Sequence, residues 1–327
     1  MLLVSIEPVT TASIRWWLAN AFTAPALAPI AGGWIASNPR LSYAWTEWVT
    51  LIISAAAFLL ALFFLPETYQ PLLVKWKTSH LRRLKGSDGY TCGQEEEGSV
   101  VERLKDTLPR PVIFFTREPV IIVLGTYLIL IYVILFTFLS GFDYIFTQTY
   151  NFSTGYTGSC FAAIASGELF GTVVSLFFYL VDRRALRKHG SIPPETRLWP
   201  SIIAAPFLPI SLFWLGWTNY KSISPWSGLA ACFVFGYCVL VVYVSSYLYI
   251  IDSYATHAAS ALASITMVRY LVAAGMVMAA RPMYMGIGVH WTLTLLGCLG
   301  VVLTPAPLIF WKVGPKVREK SKYAKSE

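Results

Sequence analysis

Eight stretches of this chain run for about twenty residues or more almost without charge: about 14–37, 45–65, 120–142, 156–181, 199–218, 226–250, 258–281 and 290–312. No other feature constrains the fold as strongly. An α-helix needs about 20 apolar residues to cross the roughly 30 Å hydrocarbon core of a bilayer. In that core the backbone must satisfy its own hydrogen bonds, so runs of this length span as helices. A large soluble helical protein would carry charged faces on most of these stretches, and they have almost none. Composition agrees: 13% of the 327 residues are charged, against about 25% in soluble domains. The chain therefore reads as an all-α integral membrane protein with about eight transmembrane helices.

Other classes find little support. The first ten residues lack a basic stretch, and the first run is too long and too Pro-rich for a signal peptide, so none is expected. Cys92, Cys160, Cys232, Cys238 and Cys298 show no pairing or metal spacing, and four of them lie within apolar runs, where Cys acts as a small hydrophobe. His80, His189, His257 and His290 are scattered without ligand spacing. No phosphate-cradling loop, nucleophile elbow or HExxH pattern occurs, so neither an enzyme nor a bound cofactor or metal is expected. The formal net charge is +8, but the cations flank membrane spans beside anionic lipid, which argues against nucleic acid as a partner.

Charge also orients the spans. Lys and Arg collect on the cytoplasmic side of short loops. Of the 25 present, 21 lie at the chain start, in 66–118, in 182–198 or from Lys312 onwards. Arg40, Lys221 and Arg281 mark the opposite set of loops, and Arg269 lies inside a run. Both termini are expected in the cytoplasm, with an even number of spans. The segment 66–118 mixes basic residues with Glu95-Glu96-Glu97, Gly and Ser and has no apolar core. Its two ends have the pattern of helices lying on the membrane, and its centre reads as disordered.

The first run contains APALAPIAGG, with Pro25 and Pro29 followed by Gly32-Gly33. An interior Pro costs roughly 3 kcal/mol in an ordinary helix, whereas a membrane helix can have its freed carbonyls satisfied by neighbours. Ala24, Ala28 and Gly32 recur every four residues and predict a flat face for close helix contact. This stretch (Ala24, Pro25, Ala28, Pro29, Gly32, Gly33) resembles the antiporter motif G-P-x-x-G-P-x-x-G-G, with Ala at both G-P glycine positions. Pro66-Glu67-Thr68-Tyr69, followed by Pro71, Lys75, Lys77 and Arg82, is similar to the PETYxPxLL…K…LR signature. Residues 139–158, 247–271, Arg281-Pro282-Met283-Tyr284 and the basic tail 314–324 continue the likeness in order.

Together these residues resemble the major facilitator superfamily, in particular the fungal twelve-span drug:proton antiporters, which include fluconazole- and benomyl-resistance proteins and polyamine exporters. The resemblance implies a partial major-facilitator fold, family spans five to twelve, lacking spans one to four. It divides the chain into 1–65, two spans from the N-terminal half; 66–118, a cytoplasmic central loop; 119–312, a complete C-terminal six-helix half; and 313–327, a basic cytoplasmic tail. It implies proton-coupled efflux of drugs or other amphipathic solutes from the plasma membrane, with polyamine export as an alternative. A further alternative is a truncated, non-transporting membrane protein that partners a full-length transporter. Its partners are then a small-molecule substrate, protons and the lipid bilayer.

Candidate site residues follow from charge in apolar surroundings. Glu168 and Arg269 lie near the centres of their runs, where an ionisable residue is costly and is a functional hypothesis by default. A carboxyl that changes charge near neutral pH suits proton coupling. The two lie at similar depth, so a mutual ion pair is an alternative. Asp143, beside Phe142, Tyr144 and Phe146, has the character of an outer-mouth site for cationic or aromatic solutes, or of interfacial anchoring. Asp252 is a candidate inner gate or a plain helix-end charge. Asp182 and Arg183 open a cytoplasmic loop that resembles a degenerate copy of the superfamily's basic loop. Tyr127, Tyr132, Tyr243 and Tyr247 are candidate cavity or packing residues. The family's arrangement implies that run 14–37 meets run 156–181, bringing Glu168 near the opening motif. It also implies that run 258–281 faces family span two, leaving Arg269 exposed here.

Overall fold

An apolar run that cannot use water as a hydrogen-bond partner closes its backbone bonds within itself, and the computed structural model follows that rule. It describes residues 24–41, 43–64, 70–85, 109–189, 193–254, 257–319 and 321, nearly all of them helical and none in a strand. Helix α1 covers 24–37. It is followed by α2 (Ala44–Phe64), α3 (Gln70–Lys85), α4 (Arg110–Arg117), α5 (Pro119–Ser140) and α6 (Thr154–His189). Then come α7 (Trp199–Ala204), α8 (Phe207–Thr218), α9 (Pro225–Tyr254), α10 (Ala258–Gly286), α11 (Gly288–Leu303) and α12 (Ala306–Glu319). A π-helical turn, Tyr144–Gln148, links α5 to α6, and a 3-10 turn, Pro194–Leu198, leads into α7.

Seven helical segments among the described residues are long and apolar enough to cross a membrane. They match seven of the eight apolar runs; α1 is the described end of the eighth, and residues 14–23 of that run lie outside the description, as do Pro66, Glu67, Thr68 and Tyr69. Two runs are each broken once. The first breaks at Ala205–Pro206 and the second at Thr304–Pro305, just where the proline ring removes a donor. The helical bonds persist up to each break, from Ala205 N to Ser201 O at 2.8 Å and from Thr304 N to Gly300 O at 2.9 Å.

The helices also outlast their apolar runs. Asp182, Arg183 and Arg184, expected to open a loop, instead continue α6 to His189. A 36-residue helix is roughly 54 Å long. Charge ends the lipid-compatible stretch but does not end the helix, because Ala, Leu, Arg and Lys are good helix formers outside the bilayer.

The chain falls into two compact units, Leu41–Pro109 and the remainder. The smaller holds α2 and α3. In the larger, α9 is central: it packs on α6, α7, α8 and α10, while α5 packs on α10 and α11 on α8. Close approach of α6 and α9 depends on glycine. A Cβ on Gly167 would lie 2.0 Å from the Phe233 carbonyl oxygen, and one on Gly236 would lie 2.4 Å from that of Ile164. Small residues at membrane helix interfaces let backbones touch in this way.

The first run does meet α6, but through a different face from the one its spacing predicts. A Cβ on Gly33 would lie 2.8 Å from Thr154 O, and one on Gly158 would lie 2.6 Å from Pro29 O. Trp34 Nε1 donates to Ser159 Oγ at 2.9 Å. Gly32 has no atom within 4 Å of an added Cβ. Ala26 and Gly33 are buried, and Ala24, Pro25 and Ala28 are exposed. The contact with α6 thus runs through Pro29 and Gly33, an i, i+4 pair one position off the predicted row, because the tightest available surface is the one that lets two glycine backbones, Gly33 and Gly158, meet.

Candidate functional site

Tyr243 and Tyr247, four residues apart, lie on one face of α9. Tyr132 reaches the same point from α5, and Arg269 and Tyr270 reach it from α10. Arg269 Nη1 donates to Tyr247 Oη at 2.6 Å. Its guanidinium carbon is 4.3 Å from the Tyr132 ring centroid, 5.1 Å from that of Tyr270, 5.5 Å from that of Tyr243 and 5.7 Å from that of Tyr247. All four centroids lie within cation–π range, where the electron-rich ring face attracts the cation. The rings brace each other: Tyr132 packs edge-on against Tyr243 and Tyr270, and Tyr243 Oη donates to the Leu128 carbonyl at 2.9 Å. Arg269 is 5% exposed and its Nε has no hydrogen-bond partner among the described residues.

Two expectations are corrected here. Arg269 is buried, because tyrosines from three helices of this same unit enclose it without help from any other span. Nor does it pair with Glu168: no contact joins them, and Glu168 Oε2 has no partner among the described residues. Glu168 is 4% exposed on α6, its carbonyl accepting from Thr172 Oγ1 at 3.0 Å, between the glycines that bring α6 onto α9. It lies ten residues beyond Gly158, roughly 15 Å along α6 from the described contact with the opening motif.

Asp143 is exposed and accepts from Thr147 Oγ1 at 3.1 Å. Its aromatic neighbours do not gather round it. Phe142 and Phe146 are in the core, where they pack on each other, and Tyr144 stacks on Tyr284 and receives Arg281 Nε at 3.2 Å. Tyr127 also leaves the group, packing on Phe310.

At the other end of the unit, Asp182 and Asp252 are brought together by Arg197. Its Nη1 donates to Asp182 Oδ2 and its Nε to Asp252 Oδ2, both at 2.7 Å. One guanidinium so ties α6, two turns before its end, and the end of α9 to the 3-10 turn before α7. Arg183 is exposed. Nearby, Arg318 of α12 lies 3.4 Å from Glu195 Oε1. Glu118, 3% exposed, accepts from Tyr254 Oη at 3.1 Å and from Ser321 Oγ. Sequence reasoning had counted Arg197 only as a topological charge and had passed over Tyr270, Glu118 and Glu195. Arg197 stands two residues before a run and Glu118 two before another, positions where a charge is unremarkable until the neighbouring helix ends are known.

Helices long and apolar enough to span, a buried polar cluster and ionic ties at one end define a multi-pass membrane protein. Residues 16–277 match the Major Facilitator Superfamily model. The chain belongs to that superfamily. It is 42% identical over 308 residues to the MFS-type transporter kojT of Aspergillus flavus, covering 92% of this chain and 55% of that protein. It is 34% identical over 308 residues to the major facilitator superfamily multidrug transporter FLU1 of Candida albicans, covering 93% and 50%. It is also 34% identical over 315 residues to the citrinin biosynthesis cluster MFS transporter mrr1 of Monascus ruber, covering 95% and 63%. These relatives are named transporters, not enzymes, and the chain spans about half the length of the first of them. No solved structure matches.

Proposed function

We propose that this chain carries out, or forms part of, proton-coupled efflux of drugs or other amphipathic organic solutes across the plasma membrane, in the manner of the fungal drug:proton antiporters. The reading is supported by membership of the superfamily and by relatives that include a named multidrug transporter. The observation that carries it is Glu168: a carboxyl on a spanning helix, 4% exposed, with one oxygen that no described group satisfies. A structural carboxyl pays its desolvation through hydrogen bonds to both oxygens, whereas a proton carrier must change its charge and is left with a vacancy in one state.

In this reading Glu168 takes up and releases the proton and Arg269 fixes charge in the solute path. The Asp182–Arg197–Asp252 bridge holds the cytoplasmic ends of α6 and α9 together in one state of the transport cycle. Both termini lie in the cytoplasm, as the distribution of Lys and Arg implies. The test is efflux of fluconazole from a drug-sensitive yeast that expresses the chain. Resistance and energy-dependent efflux above the empty-vector control are expected. Normal membrane delivery with no efflux would contradict the proposal for the chain acting alone.

A further inference from the structure

Arg269 carries a permanent charge. In a folded membrane protein such a group faces an acid, backbone carbonyls or the solute path. Here it faces four phenol rings. Among the described residues its Nη1 donates to the Tyr247 hydroxyl, the Tyr243 hydroxyl is a second neutral partner, Nε has none, and no carboxylate lies within ion-pair distance of it. The site is nonetheless built: three of the four rings, Tyr132, Tyr243 and Tyr247, are at most 8% exposed and are held by ring packing or by a backbone hydrogen bond. Tyr270 alone is 54% exposed, so it is the one ring of the four that reaches the surface of this unit.

We infer that Arg269 and its tyrosine cage form an anion subsite, and that the solute it receives is a planar aromatic or conjugated ring bearing one ionised acidic group. The cation supplies the missing partner for the acid through Nε–H and the remaining Nη–H donors. The phenols supply flat faces for the ring and hydroxyls for its polar edge. A planar guanidinium favours such a group because two parallel N–H bonds match two oxygens. A cationic solute is disfavoured in the same place. The inference rests on the transport reading and names the solute class that reading leaves open.

The experiment compares two probes of the same size, 2-naphthoate and 2-naphthamide, for binding to the purified chain in nanodiscs near neutral pH, read by calorimetry. Wild type is expected to bind the acid at least about tenfold more tightly than the amide. Arg269→Gln is expected to abolish that preference, the acid losing about tenfold more affinity than the amide, and Arg269→Lys to retain part of it. Tyr132→Leu is expected to weaken both probes alike. Equal affinities in wild type, as a standing protein counter-ion would give, overturn the inference without needing any variant; so does a preference that survives Arg269→Gln. If the acid binds selectively to a chain that exports no fluconazole, the subsite stands and the transport reading falls. If fluconazole is exported but the two probes bind equally, the subsite falls and transport stands.

Discussion

A single guanidinium does different work at Arg197 and at Arg269. At Arg197, two carboxylates at 2.7 Å, each from a different helix, neutralise the charge and tie those helices together. Replacing it with Ala removes the cation that holds two partly buried acids. Loss of such charged hydrogen bonds costs about 2 kcal/mol, so Arg197→Ala is expected to lower the melting temperature of the detergent-solubilised chain. Arg183→Ala, one residue along α6 from Asp182 but exposed, is expected to leave it unchanged; equal losses from the two variants would show that the bridge is not structural. Asp182 and Asp252 were legible as candidates because they stood at the ends of apolar runs. Their partner was not, since a basic residue before a span has a sufficient explanation in topology. At Arg269 the reverse held: its depth was plain from the run around it, and its burial was not. That burial comes from side chains on α5 and α9 far away in the chain, whose convergence no local pattern records.

Between elements, backbone contact sets the geometry. The eight runs could be read directly because lipid imposes a length and a composition on any helix that crosses it. Their breaks at Pro206 and Pro305 followed from a missing N–H, yet prolines 25, 29, 282 and 315 sit in helices without ending them; position within the packing decides which proline breaks. Glycine faces were legible for α6, where Gly167 and Gly171 do meet α9, but not for α1, where a regular four-residue repeat pointed to Gly32 and the contact uses Gly33. Gly167→Ala and Gly236→Ala each place a methyl where a carbonyl oxygen lies, at 2.0 and 2.4 Å. Both are expected to reduce folded yield sharply in size-exclusion profiles. Gly275→Ala meets nothing within 4 Å and is expected to be neutral or slightly stabilising, by up to about 1 kcal/mol. Comparable yields for all three would mean that α6 and α9 are not in backbone contact.

For the whole molecule, charge asymmetry predicts a sidedness that can be measured in intact cells. A cysteine at Lys221, in a cysteine-free background, is expected to react with a membrane-impermeant maleimide from outside. A cysteine at Lys188 is expected to react only after the membrane is opened. The reverse pattern would invert the topology and place the Asp182–Arg197–Asp252 bridge on the outer face. In the proposed cycle, with the bridge on the cytoplasmic face, protons entering from outside would reach Glu168 from the side opposite the bridge.

The central claim, that Glu168 links solute export to proton entry, is tested most directly by reconstituting the chain in vesicles with a trapped pH dye and following proton movement on addition of fluconazole. The wild type is predicted to show fluconazole-dependent proton flux whose efflux rate follows the imposed pH gradient. Glu168→Gln, which keeps the shape but cannot ionise, is predicted to lose both the flux and the gradient dependence while still binding the drug. Proton-coupled efflux unchanged in Glu168→Gln would contradict the account.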